Sequence, residues 1–138
     1  MSCASEKHEG GCLCGAIRYR FDGPIESVAH CHCRSCRRSS GAVLMTWFTV
    51  PRDNFAWIRG RPSRFASSAG VQRAFCATCG TELTYTNETA RDTIDVTVGS
   101  LDCAAAHPAD RHIWTDDKLD WLRLDDSLPA HRGWSTQD

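Results

Sequence analysis

Apolar and polar residues first alternate over positions 16–21, where Ile17, Tyr19 and Phe21 share one face and Arg18 and Arg20 the other. This period-two pattern predicts a half-buried strand. Asp22-Gly23-Pro24 supplies turn residues, and positions 26–30 are predicted to form a second strand. Alternation then lapses: residues 34–40 are predicted to make one or two helical turns, stopped by Gly41. Positions 43–50 are rich in β-branched and aromatic residues, and a strand over 55–58 follows the break at Pro51-Arg52-Asp53-Asn54. Further strands are predicted over 64–67, 71–75, 82–85 and 93–98, each bounded by Gly, Ser, Asn or a cysteine turn. The chain is therefore read as mainly β and mainly antiparallel. Residues 112–131 carry Ile113, Trp114, Leu119, Trp121, Leu122, Leu124 and Leu128, enough apolar surface to pack back onto the body.

Composition bounds the problem. With 138 residues, 41% hydrophobic and 24% charged, the chain has the content of one soluble domain with a modest core. A net charge of −1 supplies no field that would draw it onto nucleic acid or an anionic membrane. The first nine residues have no apolar core of signal-peptide length, and no apolar run reaches membrane-spanning length, so a cytoplasmic location is expected.

The cysteines change the picture most. Seven of nine fall into three clusters: Cys12-Leu13-Cys14, Cys31-His32-Cys33-Arg34-Ser35-Cys36 and Cys76-Ala77-Thr78-Cys79. In a reducing compartment such clusters are metal ligands before they are disulfides. Cys3 and Cys103 lie outside them and are read as a terminal thiol and a small packing residue. Cys12-Leu13-Cys14-Gly15 and Cys76-Ala77-Thr78-Cys79-Gly80 each end in a glycine that lets the backbone turn toward sulfur. Together they supply four ligands for a closed, structural zinc site; a redox C-x-x-C would need a βαβ context that is missing.

Cys31, Cys33 and Cys36 have no partner cluster, which suits a catalytic zinc with three protein ligands and an open fourth position. Two alternatives stay open: His30, His32 or Cys103 could close the site, or an iron–sulfur cluster could occupy it. Three thiolates on Zn²⁺ carry a net negative charge, and Arg34, Arg37 and Arg38 stand ready to offset it or to bind substrate carboxylates. A zinc-bound substrate thiolate is a nucleophile at neutral pH, and a small aldehyde is its natural electrophile. His30 and His32 flank Cys31 as proton relays or packing groups. Trp47, Trp57, Trp114 and Trp121 are read as core, and Asp102 as a turn-forming carboxylate.

These residues resemble the glutathione-dependent formaldehyde-activating enzymes, the centromere-protein-V-like family. The marks are Gly11-Cys12-Leu13-Cys14-Gly15, His32-Cys33-Arg34-Ser35-Cys36-Arg37-Arg38, Arg73-Ala74-Phe75-Cys76-Ala77-Thr78-Cys79-Gly80-Thr81, Gly99-Ser100-Leu101-Asp102, and His112-Ile113-Trp114 followed by Trp121. The resemblance covers roughly residues 10–131. It implies a zinc-stapled β-tent fold of several small coiled antiparallel sheets with short helical turns. It further implies one zinc on Cys12, Cys14, Cys76 and Cys79, another on Cys31, Cys33 and Cys36, and lyase chemistry joining glutathione and formaldehyde as S-hydroxymethylglutathione.

The organisation expected is a frayed N-terminus over 1–9, one catalytic domain over 10–131 and a tail over 132–138. The function expected is a carbon–sulfur lyase with two zinc ions per chain, acting on a small thiol and a small aldehyde, with no nucleic-acid or membrane partner. Short connections leave few residues to grip a tripeptide, so a smaller thiol stays open. A thiol-binding carrier and a two-zinc interaction domain are the competing functions, and the oligomeric state is open.

Overall fold

The computed structural model describes residues 7–135. Strand β1 (Lys7–Gly11) pairs antiparallel with β2 (Arg18–Asp22), and β2 with β5 (Phe55–Arg59), to make a three-stranded sheet. A seven-stranded sheet is built from β3 (Ser27–Cys31), β4 (Met45–Pro51), β6 (Ser63–Ser68), β7 (Val71–Phe75), β8 (Glu82–Asn87), β9 (Thr93–Thr97) and β10 (Arg111–Ile113). Its order is β10-β3-β4-β9-β8-β7-β6. One helix, α1 (Arg34–Ser40), joins β3 to β4. The fold is mainly β, and its strands are two sheets rather than several.

Alternation along each strand decides what each face of the large sheet does. Phe48 and Val50 of β4, Leu83 of β8 and Ile94 and Val96 of β9 point toward Tyr19 and Phe21 of β2, forming the main core between the sheets. Burying each such side chain contributes about 1.5–3 kcal/mol. The intervening residues Trp47, Thr49 and Asp95 face the other way and line a cavity. Tyr19 is fully buried, and its hydroxyl is satisfied at 2.8 Å by Ser100 Oγ, which itself donates to the Thr97 carbonyl. Burial pushes its phenol above the usual range, so it stays protonated.

The structure differs from the sequence reading at four places. Residues 7–9, expected to be frayed, open β1: this polar, glycine-ended segment lacks alternation, yet His8 stacks on Phe21 at 4.6 Å. Gly10 is required there because a Cβ would run into the Tyr19 ring and the Ser100 carbonyl. Strand β10 has only three residues and pairs parallel with β3, so no periodicity announces it. Its register is held by residues 129–133, where His112 N–H donates to the Pro129 carbonyl and Trp114 N–H to Gly133. The tail thus packs back, although Trp121 stays 67% exposed. Cys103 is disulfide-bonded and not a simple packing thiol, and the reading of Cys3 lies outside the described residues. Asp102 is more than a turn residue: both its oxygens accept from Arg18, at 3.0 and 2.6 Å. Among the described residues, no helix is long and apolar enough to cross a membrane.

Candidate metal centres and the cavity they border

The first centre joins segments distant in sequence. Cys12 follows β1 and Cys14 enters a turn closed by Gly15, which has φ 81° and donates its N–H to the Cys12 carbonyl at 3.1 Å. Cys76 follows β7, and Gly80, with φ 82°, closes the second turn onto the Cys76 carbonyl at 2.8 Å. These left-handed positions are the reason both clusters end in glycine. Thr81 locks the turns together, accepting from Leu13 N–H at 3.1 Å and lying 3.2 Å from Cys79 Sγ. The four sulfurs lie within 4.8 Å of one another. Cys12 and Cys14 sulfurs are 3.6 Å apart, and those of Cys14 and Cys76 3.8 Å. A tetrahedral thiolate zinc, with metal–sulfur bonds of about 2.3 Å, needs sulfurs about 3.8 Å apart, so the donor set fits that ion.

The second centre is made by β3 and the start of α1. Cys31 ends the strand. Cys33 is the N-cap, in extended conformation, and its sulfur accepts the Cys36 N–H at 3.3 Å. Cys36 lies in the first helical turn, and Gly41 ends α1 in the left-handed conformation. Capping geometry therefore brings the three sulfurs together, again within 4.8 Å. Hydrogen bonds from Cys31 and Cys36 hold the Cys33 thiol far below its usual range, and the same crowding pushes Cys31 up. The three sulfurs could hold a metal ion.

The two centres differ in what they border. Cys31, Cys33 and Cys36 line a cavity of about 770 Å³ on the face of the seven-stranded sheet opposite the main core, and none of the other four clustered cysteines does. Trp47 and Trp114, read from sequence as core, form part of its wall. The cavity is large enough for a peptide-sized ligand, so the short connections do not restrict the site to a very small thiol.

Of the three arginines predicted for substrate, Arg34 lines the cavity mouth, its backbone N–H donating to Asp117 Oδ2 at 3.3 Å. Arg37 and Arg38 do not line it. They sit in the last turn of α1, where cations complement the carbonyl end of the helix. The cation at the sulfurs is Arg73 of β7, for which the sequence reading assigned no role. It is 5% exposed, and its guanidinium directs N–H groups at Cys36 Sγ from 3.7 and 3.8 Å. Glu82 pairs with it at 3.1 Å, Ser67 Oγ accepts from its Nε, and Tyr85 lies beneath it, 5.2 Å from ring centroid to guanidinium. The available signal was alternation: Arg73 shares the inward face of β7 with Val71 and Phe75.

His30 and His32 do not line the cavity. His30 Nδ1 bonds Thr46 Oγ1 at 2.7 Å. His32 Nε2 meets His112 Nδ1 at 2.9 Å, and His112 Nε2 meets Asp126 at 2.8 Å. Burial pushes His32 down to about 4, so it stays neutral. These rings brace β3, β4 and β10 behind the site.

Asp95 of β9 also faces the cavity, and its Oδ1 accepts from Thr49 at 2.6 Å. Desolvation pushes its carboxyl up to about 6, with Glu26 adding to the effect. A raised carboxyl favours the fold while protonated, and that contribution is lost as pH rises from about 4 through 6. Asp95→Asn is therefore expected to be more stable than wild type at pH 8, by on the order of 2 kcal/mol, with the difference vanishing below pH 4. Urea denaturation at the two pH values checks this.

A mainly β frame of two sheets carries one four-thiol and one three-thiol group that could hold metal ions, with a cavity beside the second. A family model for the glutathione-dependent formaldehyde-activating enzymes matches residues 7–117, and the chain belongs to that family. An uncharacterized lyase of Schizosaccharomyces pombe is 31% identical over 83 residues, covering 59% of this chain and 60% of that protein. A Halomonas elongata protein bearing the family's name is 22% identical over 126 residues, covering 85% of this chain and 80% of that one. The fold is also that of a Rhodobacter sphaeroides protein of known crystal structure, with a TM-score of 0.58 at 19% identity, covering 89% of this chain and 98% of that one.

Proposed function

We propose that the protein is a zinc-dependent carbon–sulfur lyase that adds a glutathione-like thiol to formaldehyde or a similar small aldehyde, and catalyses the reverse cleavage. The observation that carries this is the contrast between the centres: three convergent thiols on the wall of a cavity, four away from it. On this reading Cys12, Cys14, Cys76 and Cys79 hold a structural zinc, and Cys31, Cys33 and Cys36 hold the catalytic one.

A zinc ion bound there supplies a positive centre that favours the thiolate form of a substrate thiol at neutral pH. The remaining work falls to the chain. Arg73 offsets the charge gathered on Cys36 and fixes the direction of its sulfur. Trp47 and Ile113 border the cysteines and keep water from the reacting sulfur. Arg34 stands at the mouth, where a substrate carboxylate would pair with it. In the reaction a bond forms between the thiol sulfur and the aldehyde carbon. The carbonyl π pair moves to oxygen, and the proton released by the thiol ends on that oxygen, giving an S-hydroxymethyl adduct.

Exchange of S-hydroxymethylglutathione with free glutathione and formaldehyde, followed by NMR with and without protein at equal thiol, tests the proposal. An acceleration of at least about tenfold is expected, small beside what positioned catalytic groups usually supply. Thiol binding without acceleration would make the protein a carrier. Absence of any thiol response would leave a two-zinc interaction domain.

A further inference from the structure

The cavity has a second chemical end that the cysteines do not use. A single cross-strand row runs over its floor: Ser27 opposite Thr49, Thr49 opposite Asp95, Asp95 opposite Tyr85, and Tyr85 opposite Arg73. All five side chains line the cavity. Arg73 is committed to Glu82 and Cys36 at one end of that row. Asp95, in its middle, has no cationic partner among the described residues, and of its oxygens only Oδ1 takes a hydrogen bond. A carboxylate mostly withdrawn from water and left without a counter-charge is costly unless something supplies one. Around it stand the hydroxyls of Ser27 and Thr49, whose oxygens can accept from a primary ammonium, while the Tyr85 ring beside them carries the Arg73 guanidinium.

The register also fixes how far this end lies from the sulfurs. Cys31 pairs with Met45 and Asp95 with Thr49, four residues further along β4 and on its other side. At about 3.3 Å per residue and about 4.8 Å per strand, the two backbones are about 16 Å apart on a flat sheet. Both side chains stand on the cavity face, so a thiol held at the sulfurs must extend well along the floor before its amine meets Asp95. A two-carbon thiol is too short for that reach, whereas a peptidyl thiol carries its amine several bonds further from sulfur.

We propose that Asp95 anchors a protonated amine of the thiol substrate, so that the site selects amine-bearing peptidyl thiols over thiols that are short or lack the amine. Arg34 at the mouth would then receive a carboxylate, and the sulfur, amine and carboxylate would fix one orientation. This rests on the thiol site proposed above, and it depends on a residue that has no part in the zinc centres.

The test compares glutathione with its analogue lacking the N-terminal amine, and with 2-mercaptoethanol, by calorimetric binding to the zinc-loaded protein and separately by adduct exchange. Wild type is expected to bind glutathione at least about tenfold more tightly than the deaminated analogue, about 1.4 kcal/mol. In Asp95→Asn that preference is expected to fall to within about twofold of unity. Because the wild-type comparison varies only the ligand, it holds even if the variant folds poorly. Equal affinity of wild type for the two tripeptides overturns the anchor, as does a variant that keeps the full preference. Amine-dependent binding without accelerated exchange would sustain the anchor and defeat the lyase reading alone, whereas no binding of any thiol would defeat both.

Discussion

Cys76→Ser is expected to yield a chain that does not reach the native fold. Cys76 is 1% exposed, directly follows β7 and, with Cys79, ties that strand to Cys12 and Cys14, linking residues 62 apart in sequence. A zinc ion held by such a closed set contributes about 10–16 kcal/mol in small zinc peptides. The net stability of a whole domain is only about 5–15 kcal/mol. The two quantities are of the same size, so weakening the site by one ligand cuts deeply into the net stability, and the buried serine adds an unsatisfied hydroxyl. Far-UV and near-UV circular dichroism with elemental analysis should report loss of both tertiary structure and zinc. A native spectrum with a melting temperature within a few degrees of wild type would show that the four-thiol centre is not a structural staple. Cys36→Ser is the matched control, because its site opens on a cavity and its loss should leave the fold in place.

Arg73→Met is expected to lose about 3–5 kcal/mol of stability and most of the activity together. Removing the guanidinium leaves Glu82, whose side chain is only 7% exposed, as a buried charge without its cation, held by the Ser39 hydroxyl alone. It also strips Cys36 of its two N–H contacts. The double variant Arg73→Met/Glu82→Leu separates the two effects, since replacing both members of a buried pair with apolar groups is often near neutral. Urea denaturation of the double variant should return to within about 1 kcal/mol of wild type, while adduct exchange stays at least tenfold slow. If activity returned along with stability, Arg73 would be a structural residue with no bearing on the sulfurs.

Much of this was legible in the sequence, and the reasons are local. Strands β2 to β9 follow from alternation or from β-branched runs, because a strand with one face in a core must declare its period. The span 71–75 coincides with β7, and Gly41 stops α1 as expected. Within each cluster, C-x-C and C-x-x-C turns need only nearby backbone to bring sulfurs together, and the matching glycine-ended form of the Cys12–Cys14 and Cys76–Cys79 turns signalled that those two distant clusters belong to one centre. What escaped was non-local. Strand β1 is polar and β10 has three residues, and each exists because of the strand beside it. Arg73 matters because β7 passes α1, a fact of topology rather than of spacing, so the nearer Arg37 and Arg38 drew the inference instead. Asp95 drew no assignment from the sequence, yet the face it shares with Thr49 is the cavity floor.

Zinc per chain, measured by elemental analysis on purified wild type and Cys36→Ser, tests the division of labour between the two centres most directly. The account predicts two zinc ions in wild type and one in the variant, with the fold retained. One ion in wild type, or two in a variant whose adduct exchange is unchanged, would contradict it.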